Sequence, residues 1–156
     1  MKLRKPKVCL VSSTGGHFTQ LTILSKELKD SCEVCIVTEK TKILEKSNNI
    51  DYYLYQFNRK KVASLLILIK NILKSFKIVL KEKPKYIIST GAGSTVPLIL
   101  LGKIYGSKVI YIESFAKRKS PTLTGKLLYK VVDRFYVQWP DMLEIFPKAE
   151  YKGAIY

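Results

Sequence analysis

The feature that most constrains this chain is a glycine turn at residues 12–17, with the sequence Ser-Ser-Thr-Gly-Gly-His. An apolar run at residues 8–11 precedes the turn and predicts a short buried strand. Leucines recur after it at helical spacing, at Leu21, Leu24 and Leu28. A strand that turns on glycines into a helix leaves free backbone N–H groups at the helix N-terminus, which bind anions or polar hydroxyls. The turn is therefore a candidate ligand site, and it carries the chain's single histidine, His17.

Strand-like and helix-like segments alternate along the rest of the chain. Strands are predicted at residues 33–38, 52–55, 86–90, 108–112 and 134–137. Helices are predicted at 59–83, 95–105 and 121–130, with short helical turns near 43–46 and 140–146. No signal places residues 150–156. This alternation predicts an α/β fold: a Rossmann-like parallel sheet with helices on both faces, in a single domain over residues 1–156.

The charge balance of the chain is strongly basic. Its 28 Lys and Arg residues against 12 Asp and Glu residues give a net charge of +16. Such a surplus favours a polyanionic partner: nucleic acid, acidic lipid headgroups or a phosphorylated substrate. Nucleic acid is the weakest of the three, because the sequence has neither a recognition motif nor a paired aromatic platform. We therefore expect no nucleic acid as a partner.

Cysteine usage and hydropathy indicate the compartment. Three cysteines, an odd count, argue against a disulfide framework and favour a reducing environment. The apolar run at residues 8–11 is too short for a signal peptide, and no apolar run is long enough to span a bilayer. Cys32 and Cys35 have the spacing of half a zinc site, but no second pair completes it. We expect a cytoplasmic protein with buried thiols and no metal site.

Three predicted strand ends carry candidate site residues, since ligands in parallel α/β sheets bind beyond the carboxyl ends of the strands. A helix dipole keeps His17 neutral and able to accept a proton, although the histidine can also serve only its own loop. Residues 91–94, Gly-Ala-Gly-Ser, form a second glycine turn that either approaches a ligand or is simply tight. Glu113 can orient a sugar hydroxyl or act as a base; alternatively it caps a helix or pairs with lysines.

The long predicted helix at 59–83 is amphipathic. Its apolar face consists of Leu65, Leu66, Ile69, Ile72, Leu73, Phe76 and Leu80. A basic stripe runs beside that face, through Lys70, Lys74, Lys77 and Lys81. In one interpretation the apolar face packs on the sheet and the lysines are solvated. In the other, the helix lies at a membrane surface and the lysines meet acidic headgroups. The two interpretations are compatible if the core uses only part of the apolar face.

Both glycine turns and the strand end at Glu113 together resemble the Alg14 family. The matching segments are 13–17 (Ser-Thr-Gly-Gly-His), 89–97 (Ser-Thr-Gly-Ala-Gly-Ser-Thr-Val-Pro) and 111–116 (Tyr-Ile-Glu-Ser-Phe-Ala). Residues 121–129 and the Gln-Trp-Pro at 138–140 also fit, so the resemblance covers nearly the whole chain. That family includes bacterial capsule and exopolysaccharide glycosyltransferase subunits. The first turn is also similar to the one in the N-terminal half of MurG-type transferases.

The resemblance implies a GT-B glycosyltransferase divided between two chains. This chain would be the N-terminal-type, acceptor-binding half, peripheral at the cytoplasmic face of the cell membrane and inactive or weak alone. A donor-binding, Alg13-like partner would hold the UDP-sugar, so no separate cofactor or metal is expected. The implied reaction transfers a hexosyl or N-acetylhexosaminyl group to a polyprenyl-pyrophosphate-linked saccharide, in capsular polysaccharide, exopolysaccharide or lipid-linked oligosaccharide biosynthesis. The alternative is a non-catalytic membrane scaffold that recruits and stabilises the catalytic chain.

The resemblance also implies roles for particular residues. His17 is the expected catalytic base, and Glu113 positions the acceptor or shares that role. Contacts with the acceptor and its pyrophosphate are expected from Ser13, Thr14, Gly15, Gly16, Gly91, Gly93, Ser94, Lys117 and Arg118, with Lys119 beside them. The basic stripe of Lys70, Lys74, Lys77 and Lys81 is expected to meet an anionic membrane surface.

Overall fold

A single parallel sheet organises the chain in the computed structural model, which describes residues 5–57 and 64–156. Within those ranges the strands are β1 (Lys7–Ser12), β2 (Glu33–Glu39), β3 (Tyr52–Leu54), β4 (Tyr86–Gly91), β5 (Lys108–Ile112), β6 (Arg134–Val137) and β7 (Glu150–Tyr151). Their order across the sheet is β3-β2-β1-β4-β5-β6-β7, and every neighbouring pair is parallel. The predicted Rossmann-like α/β fold is confirmed.

Helices connect the strands in the order that the sequence predicted. They are α1 (Gly16–Leu28), α2 (Ser64–Glu82), α3 (Val96–Ile104) and α4 (Leu123–Leu128), with 3₁₀ turns at Leu44–Lys46, Gly93–Thr95 and Pro140–Leu143. The first residues of the helix predicted at 59–83 lie outside the described residues. β7 was not predicted, because two residues are too few to show any alternation.

Helices cover both faces of the sheet, as predicted. On one face, Leu21 of α1 packs with Val8, Leu10 and Ile36. On the other face, α2, α3 and α4 cover a larger core that contains Cys9, Val11, Cys35, Val37, Ile78, Leu98 and Leu128. Because side chains alternate across a strand, β1 and β2 supply both cores from successive residues. Because both faces of the sheet are covered, the sequences of β1 and β2 are nearly continuous apolar runs.

The orientation of α2 corrects one interpretation of the sequence. Its regular apolar face does not pack on the sheet: Leu65, Leu66, Ile69, Ile72, Leu73, Phe76 and Leu80 are each between 39% and 66% exposed. The buried side consists of Ser64, Asn71, Ser75, Ile78 and Val79. The apolar face is left outside.

Asn71 fixes this orientation of α2 at the edge of the sheet. Its carboxamide accepts a hydrogen bond from the Tyr55 N–H at 2.8 Å and donates one to the Tyr55 carbonyl at 2.9 Å. Lys74 donates to the carbonyl of Tyr53 at 2.8 Å. Backbone groups on the outer side of β3 need such partners, because no further strand pairs with β3 in the described chain. Polar bonds therefore decide which side of α2 is buried.

This orientation predicts an unusual order of stabilities within α2. Asn71→Ala removes both bonds to Tyr55, and we expect it to lower the free energy of unfolding by about 2 kcal/mol. Leu73→Gln changes a residue that is 57% exposed, so its effect should stay within about 0.5 kcal/mol. Urea denaturation of the two variants measures both values. A larger loss for Leu73→Gln than for Asn71→Ala would show that the apolar face is the packed one.

Candidate functional site

Hydrogen bonds join the two glycine turns at the carboxyl edge of the sheet. The Ser13 N–H donates to the Gly91 carbonyl at 2.7 Å, and the Thr90 hydroxyl donates to the His17 carbonyl at 2.9 Å. The His17 Nδ1 atom lies 2.5 Å from the carbonyl oxygen of Thr90. Strands β1 and β4 are neighbours, so the turns that follow them meet. The sequence prediction that these turns share one edge is confirmed.

The contact with Thr90 selects the tautomer of His17. A carbonyl oxygen only accepts hydrogen bonds, so Nδ1 carries the hydrogen and donates it. In the neutral ring, Nε2 then has a free lone pair, and no group within the described ranges bonds to it. His17 is the second residue of α1. The ring is therefore arranged to accept a proton at Nε2.

Gly91 is the residue that allows the histidine ring to lie so close to β4. Its φ of +106° lies in the region that favours glycine. A Cβ at this position would also be 3.0 Å from Cε1 of His17 and 3.2 Å from Nδ1. Gly15, with φ of +71°, makes the corresponding turn at the start of α1. Both glycines are needed for the backbone path itself, so neither requires a ligand to explain it.

A small pocket of about 210 Å³ surrounds the His17 ring. Its other walls are Gly16, Gln20, Tyr156 and the segment 114–116. The rings of Phe115 and Tyr156 meet edge to face with centroids 5.1 Å apart, and the Tyr156 hydroxyl donates to the Gly16 carbonyl at 3.3 Å. Sequence patterns gave no sign of Tyr156, because residues 150–156 carry no periodic signal.

A larger open cleft of about 640 Å³ lies nearby but contains different residues. It is lined by Glu39, Gln56 and Phe57, by Ala92 and Gly93, and by Lys117 with residues 121–124. These residues follow β2, β3, β4 and β5, so the cleft lies at the carboxyl edge of the sheet. His17 does not line it. The residues that were expected to contact one acceptor are therefore distributed around two neighbouring pockets, and the segment 114–124 borders both.

Glu113 is buried, with only 1% of its surface exposed, and does not face either pocket. Its carboxylate accepts hydrogen bonds from the Ser114 N–H at 2.7 Å, the Thr122 N–H at 3.2 Å and the Thr122 hydroxyl at 2.9 Å. The carboxylate also packs directly against Gly125, because a Cβ at position 125 would lie 2.0 Å from Oε2 of Glu113. The direct contact with an acceptor that we expected is therefore not available in this arrangement. Glu113 instead ties together both ends of the loop 114–122.

Electrostatics and packing beneath this loop are consistent with a structural carboxylate. Burial, together with the nearby charge of Glu113, raises the pKa of the Tyr111 phenol well above its usual range. Tyr111 therefore stays protonated, with its hydroxyl 3.4 Å from that of Thr122. Gln138 supports the strand end from below: its amide donates to the Glu113 carbonyl at 2.8 Å and exchanges hydrogen bonds with Gln20.

The three consecutive basic residues after Ala116 do not act as a group. Lys117 lines the large cleft, whereas Arg118 pairs with Asp141 at 3.3 Å and lies over the ring of Trp139. Lys119 lines a separate cavity that also contains Asp141. All three cations were expected to hold a pyrophosphate together, but of the three only Lys117 lines the large cleft.

The remaining predicted contacts differ in accessibility. Gly15 and Gly16 are exposed at the first turn, and Thr14 and Gly93 are partly exposed. Ser13 and Ser94 are buried, and the Ser94 hydroxyl has no partner in the part of the chain that the structure describes. Backbone atoms of the turns can reach a ligand, but the Ser94 side chain does not line either pocket.

The cysteines and acidic residues that the structure describes form no cluster suited to a metal ion. Among the described residues, no group of three or more His, Cys, Asp or Glu side chains could hold a metal ion. Cys9 and Cys35 are opposite each other on β1 and β2 and are buried, while Cys32 is half-buried.

Known proteins that share this sequence pattern identify the family. A family model described as "Oligosaccharide biosynthesis protein Alg14 like" matches residues 8–155. This chain belongs to the Alg14 family. The protein named UDP-N-acetylglucosamine transferase subunit ALG14 from Rattus norvegicus is 33% identical, over 94% of this chain and 81% of its own length. The corresponding subunit of Schizosaccharomyces pombe is 46% identical, over 46% of this chain and 37% of that protein.

Solved structures with the same fold include a MurG and a UDP-N-acetylglucosamine 2-epimerase. MurG of Acinetobacter baumannii superposes with a TM-score of 0.76 at 20% identity, covering 96% of this chain and 46% of that one. The UDP-N-acetylglucosamine 2-epimerase of Rickettsia bellii gives a TM-score of 0.77 at 13% identity, covering 97% and 46%. At these identities the likeness shows the fold alone. The Alg14-family chain spans about half the length of each enzyme.

The buried position of Glu113 predicts a stability defect when its charge is removed. Glu113→Gln places an amide NH₂ against the N–H and hydroxyl donors of Ser114 and Thr122, so the free energy of unfolding should fall by about 2–3 kcal/mol. The matched change at the exposed Glu144, Glu144→Gln, should cost less than about 0.5 kcal/mol. Chemical denaturation of both variants provides the comparison. Equal stability of the two variants would return Glu113 to the list of candidate bases.

Proposed function

We propose that this chain is the acceptor-binding subunit of a two-chain glycosyltransferase. The enzyme moves a sugar from a UDP-sugar to a polyprenyl-pyrophosphate-linked saccharide at the cytoplasmic face of the cell membrane. A donor-binding, Alg13-like chain supplies the second half. Two observations support the division: the relatives are named as transferase subunits, and this sheet corresponds to 46% of the MurG chain. Because those relatives carry UDP-N-acetylglucosamine in their names, UDP-N-acetylglucosamine is the first donor to test.

The observation that carries the proposal is the geometry of His17. Its Nδ1 is bound to the Thr90 carbonyl and its Nε2 is unpaired among the described residues, at the strand edge where this fold binds ligands. In the proposed reaction Nε2 takes the proton from the acceptor hydroxyl. The freed oxygen then bonds to the anomeric carbon of the donor as the bond to UDP breaks, and UDP leaves. Lys117 and the backbone at Gly93 lie in the open cleft, where they are suited to the acceptor's phosphates.

A substitution that separates the two nitrogens of His17 tests this role. Asn has a side-chain N–H close to the position of Nδ1, so His17→Asn keeps a donor for Thr90 and removes the Nε2 lone pair. In the complex with the partner chain, we expect kcat to fall by at least 100-fold while the unfolding temperature changes little. Transfer of radiolabelled N-acetylglucosamine to a prenyl-diphosphate saccharide provides the assay.

A change in the exposed part of the same helix serves as the control. Lys26→Ala in α1 should leave kcat within twofold of the wild type. If His17→Asn also retains wild-type kcat in an assembled complex, the histidine is not the base. Transfer that depends on this chain but not on His17 would favour the scaffold role.

We also propose that α2 holds the subunit on the membrane. Helical periodicity puts the exposed apolar residues on one side and the lysines on the flank between that side and the buried one. The patch continues onto the end of α3, where Ile104 is 77% exposed and the Tyr105 ring meets Phe76 at 6.0 Å. This arrangement suits an interfacial helix whose cations meet acidic headgroups. No helix in the described part of the chain is both long and apolar enough to cross a bilayer.

Vesicle sedimentation tests the proposed membrane face. Reversing the charges of Lys70, Lys77 and Lys81 to Glu should weaken binding to vesicles rich in phosphatidylglycerol by at least tenfold. The matched reversal of Lys26, Lys29 and Lys126, which are exposed elsewhere, should have a much smaller effect. Binding to the same vesicles should also fall as salt is raised. Equal losses for the two triple variants would indicate that only net charge matters.

A further inference from the structure

Glu39 is a buried carboxylate that the proposed chemistry has not used. It is the last residue of β2, and only 8% of its surface is exposed. Cys35 and Val37, on the same side of β2, pack in the core beneath α2 and α3. Alternation along the strand therefore directs Glu39 to that side, at the carboxyl edge. There it lines the cleft of about 640 Å³.

Among the described residues, Glu113 and Glu82 are largely buried carboxylates with partners, whereas Glu39 has none. Glu113 accepts hydrogen bonds from Ser114 and Thr122, and Glu82 pairs with Lys7 at 2.9 Å. Across residues 5–57 and 64–156, no hydrogen bond or ion pair reaches the carboxylate of Glu39. Removing a carboxylate from most of its water without a partner costs free energy. A ligand that donates hydrogen bonds to Glu39 would offset that cost.

The walls of the cleft indicate which ligand can do so. Its charged groups, among the described residues, are Glu39 at the end of β2 and Lys117 after β5. Gly93 adds a backbone that a ligand can approach, and Thr122 and Thr124 also line the cleft. A carboxylate repels phosphate but accepts from sugar hydroxyls, whereas a lysine attracts phosphate. The carboxylate and the ammonium group of this cleft are thus suited to the two parts of a sugar phosphate.

From these positions we propose that Glu39 binds hydroxyl groups of the acceptor's sugar and thereby orients its diphosphate toward Lys117. The inference rests on the proposed function, since it takes the acceptor to be a sugar attached to a diphosphate. It adds a specificity-determining residue on β2, and none of the candidate site residues described above lies on that strand. Glu39 is a binding residue in this scheme, and the proton is still taken by His17.

Acceptor kinetics of the two-chain complex test the inference. The probes are short-chain prenyl diphosphates carrying glucose, galactose or N-acetylglucosamine, together with their monodeoxy analogues. For the preferred probe, Glu39→Gln should lower kcat/KM for the acceptor about tenfold and leave the KM for UDP-N-acetylglucosamine within twofold. One monodeoxy analogue should cost the wild-type complex the same factor and cost the variant nothing further, which identifies the hydroxyl that Glu39 binds.

Glu45→Gln is the matched control, because it makes the same change at an exposed glutamate that pairs with Lys40. It should leave every constant within twofold of the wild type. The unfolding temperature of Glu39→Gln should equal or exceed that of the wild type, because a neutral amide is cheaper to bury than an unpaired carboxylate. A purely structural carboxylate would instead lose stability on this change.

Calorimetric binding of the same probes to the complex keeps the two hypotheses distinguishable. Equal probe affinity for the wild type and Glu39→Gln overturns the inference about Glu39, and so does a failure of every probe to bind. A probe that binds through Glu39 but receives no sugar from any tested UDP-sugar supports the inference and counts against the proposed reaction.

Discussion

The contact between the His17 ring and the backbone at Thr90 and Gly91 is the constraint on which the candidate site depends. It joins the turn after β1 to the turn after β4, fixes the ring tautomer, and requires a residue without a side chain at position 91. Without it, a histidine at the start of α1 could rotate into solvent and bond to water through either nitrogen. With it, Nδ1 is bound to the backbone, and Nε2 has no hydrogen-bond partner among the described residues.

The loop 114–122 connects the His17 pocket with the open cleft, because it borders both. Its first residues wall the His17 pocket, and its later residues wall the open cleft. Glu113 bonds to the backbone at both ends of the loop, so a buried carboxylate controls the position of two pockets that it does not touch. This explains how a residue of catalytic type, at the end of a central strand, can matter for activity without contacting a substrate.

Sequence patterns predicted the sheet well, because β1, β2, β4 and β5 are apolar runs bounded by turns. They also predicted that His17 and the second glycine turn would meet, since both follow parallel strands. They failed where a residue's environment comes from distant contacts. A helical period shows that α2 has an apolar face, but not whether the sheet or something else covers it. The hydrogen bonds between Asn71 and Tyr55, which are sixteen positions apart in the sequence, determine which side of α2 is buried.

The same limit applies to the carboxylates. Glu39 ends the apolar strand β2 and Glu113 directly follows β5, so the two carboxylates look alike in the sequence. Only the fold shows that Thr122 reaches back to Glu113 whereas nothing in the described chain reaches Glu39. The rule that ligands bind at strand ends could have indicated both residues, but it could not have separated the structural carboxylate from the available one.

The distribution of charge explains what the net charge of +16 is suited to do. Within the described chain, the cleft holds one acidic and one basic side chain, so its lining is close to neutral. Arg118, which had been expected to hold phosphate, is paired with Asp141. The four lysines of α2, in contrast, lie together beside an exposed apolar face, and Lys74 and Lys70 stack on Tyr55. Basic charge placed there is suited to a surface, and the acidic membrane proposed above would match both this charge and its apolar neighbour.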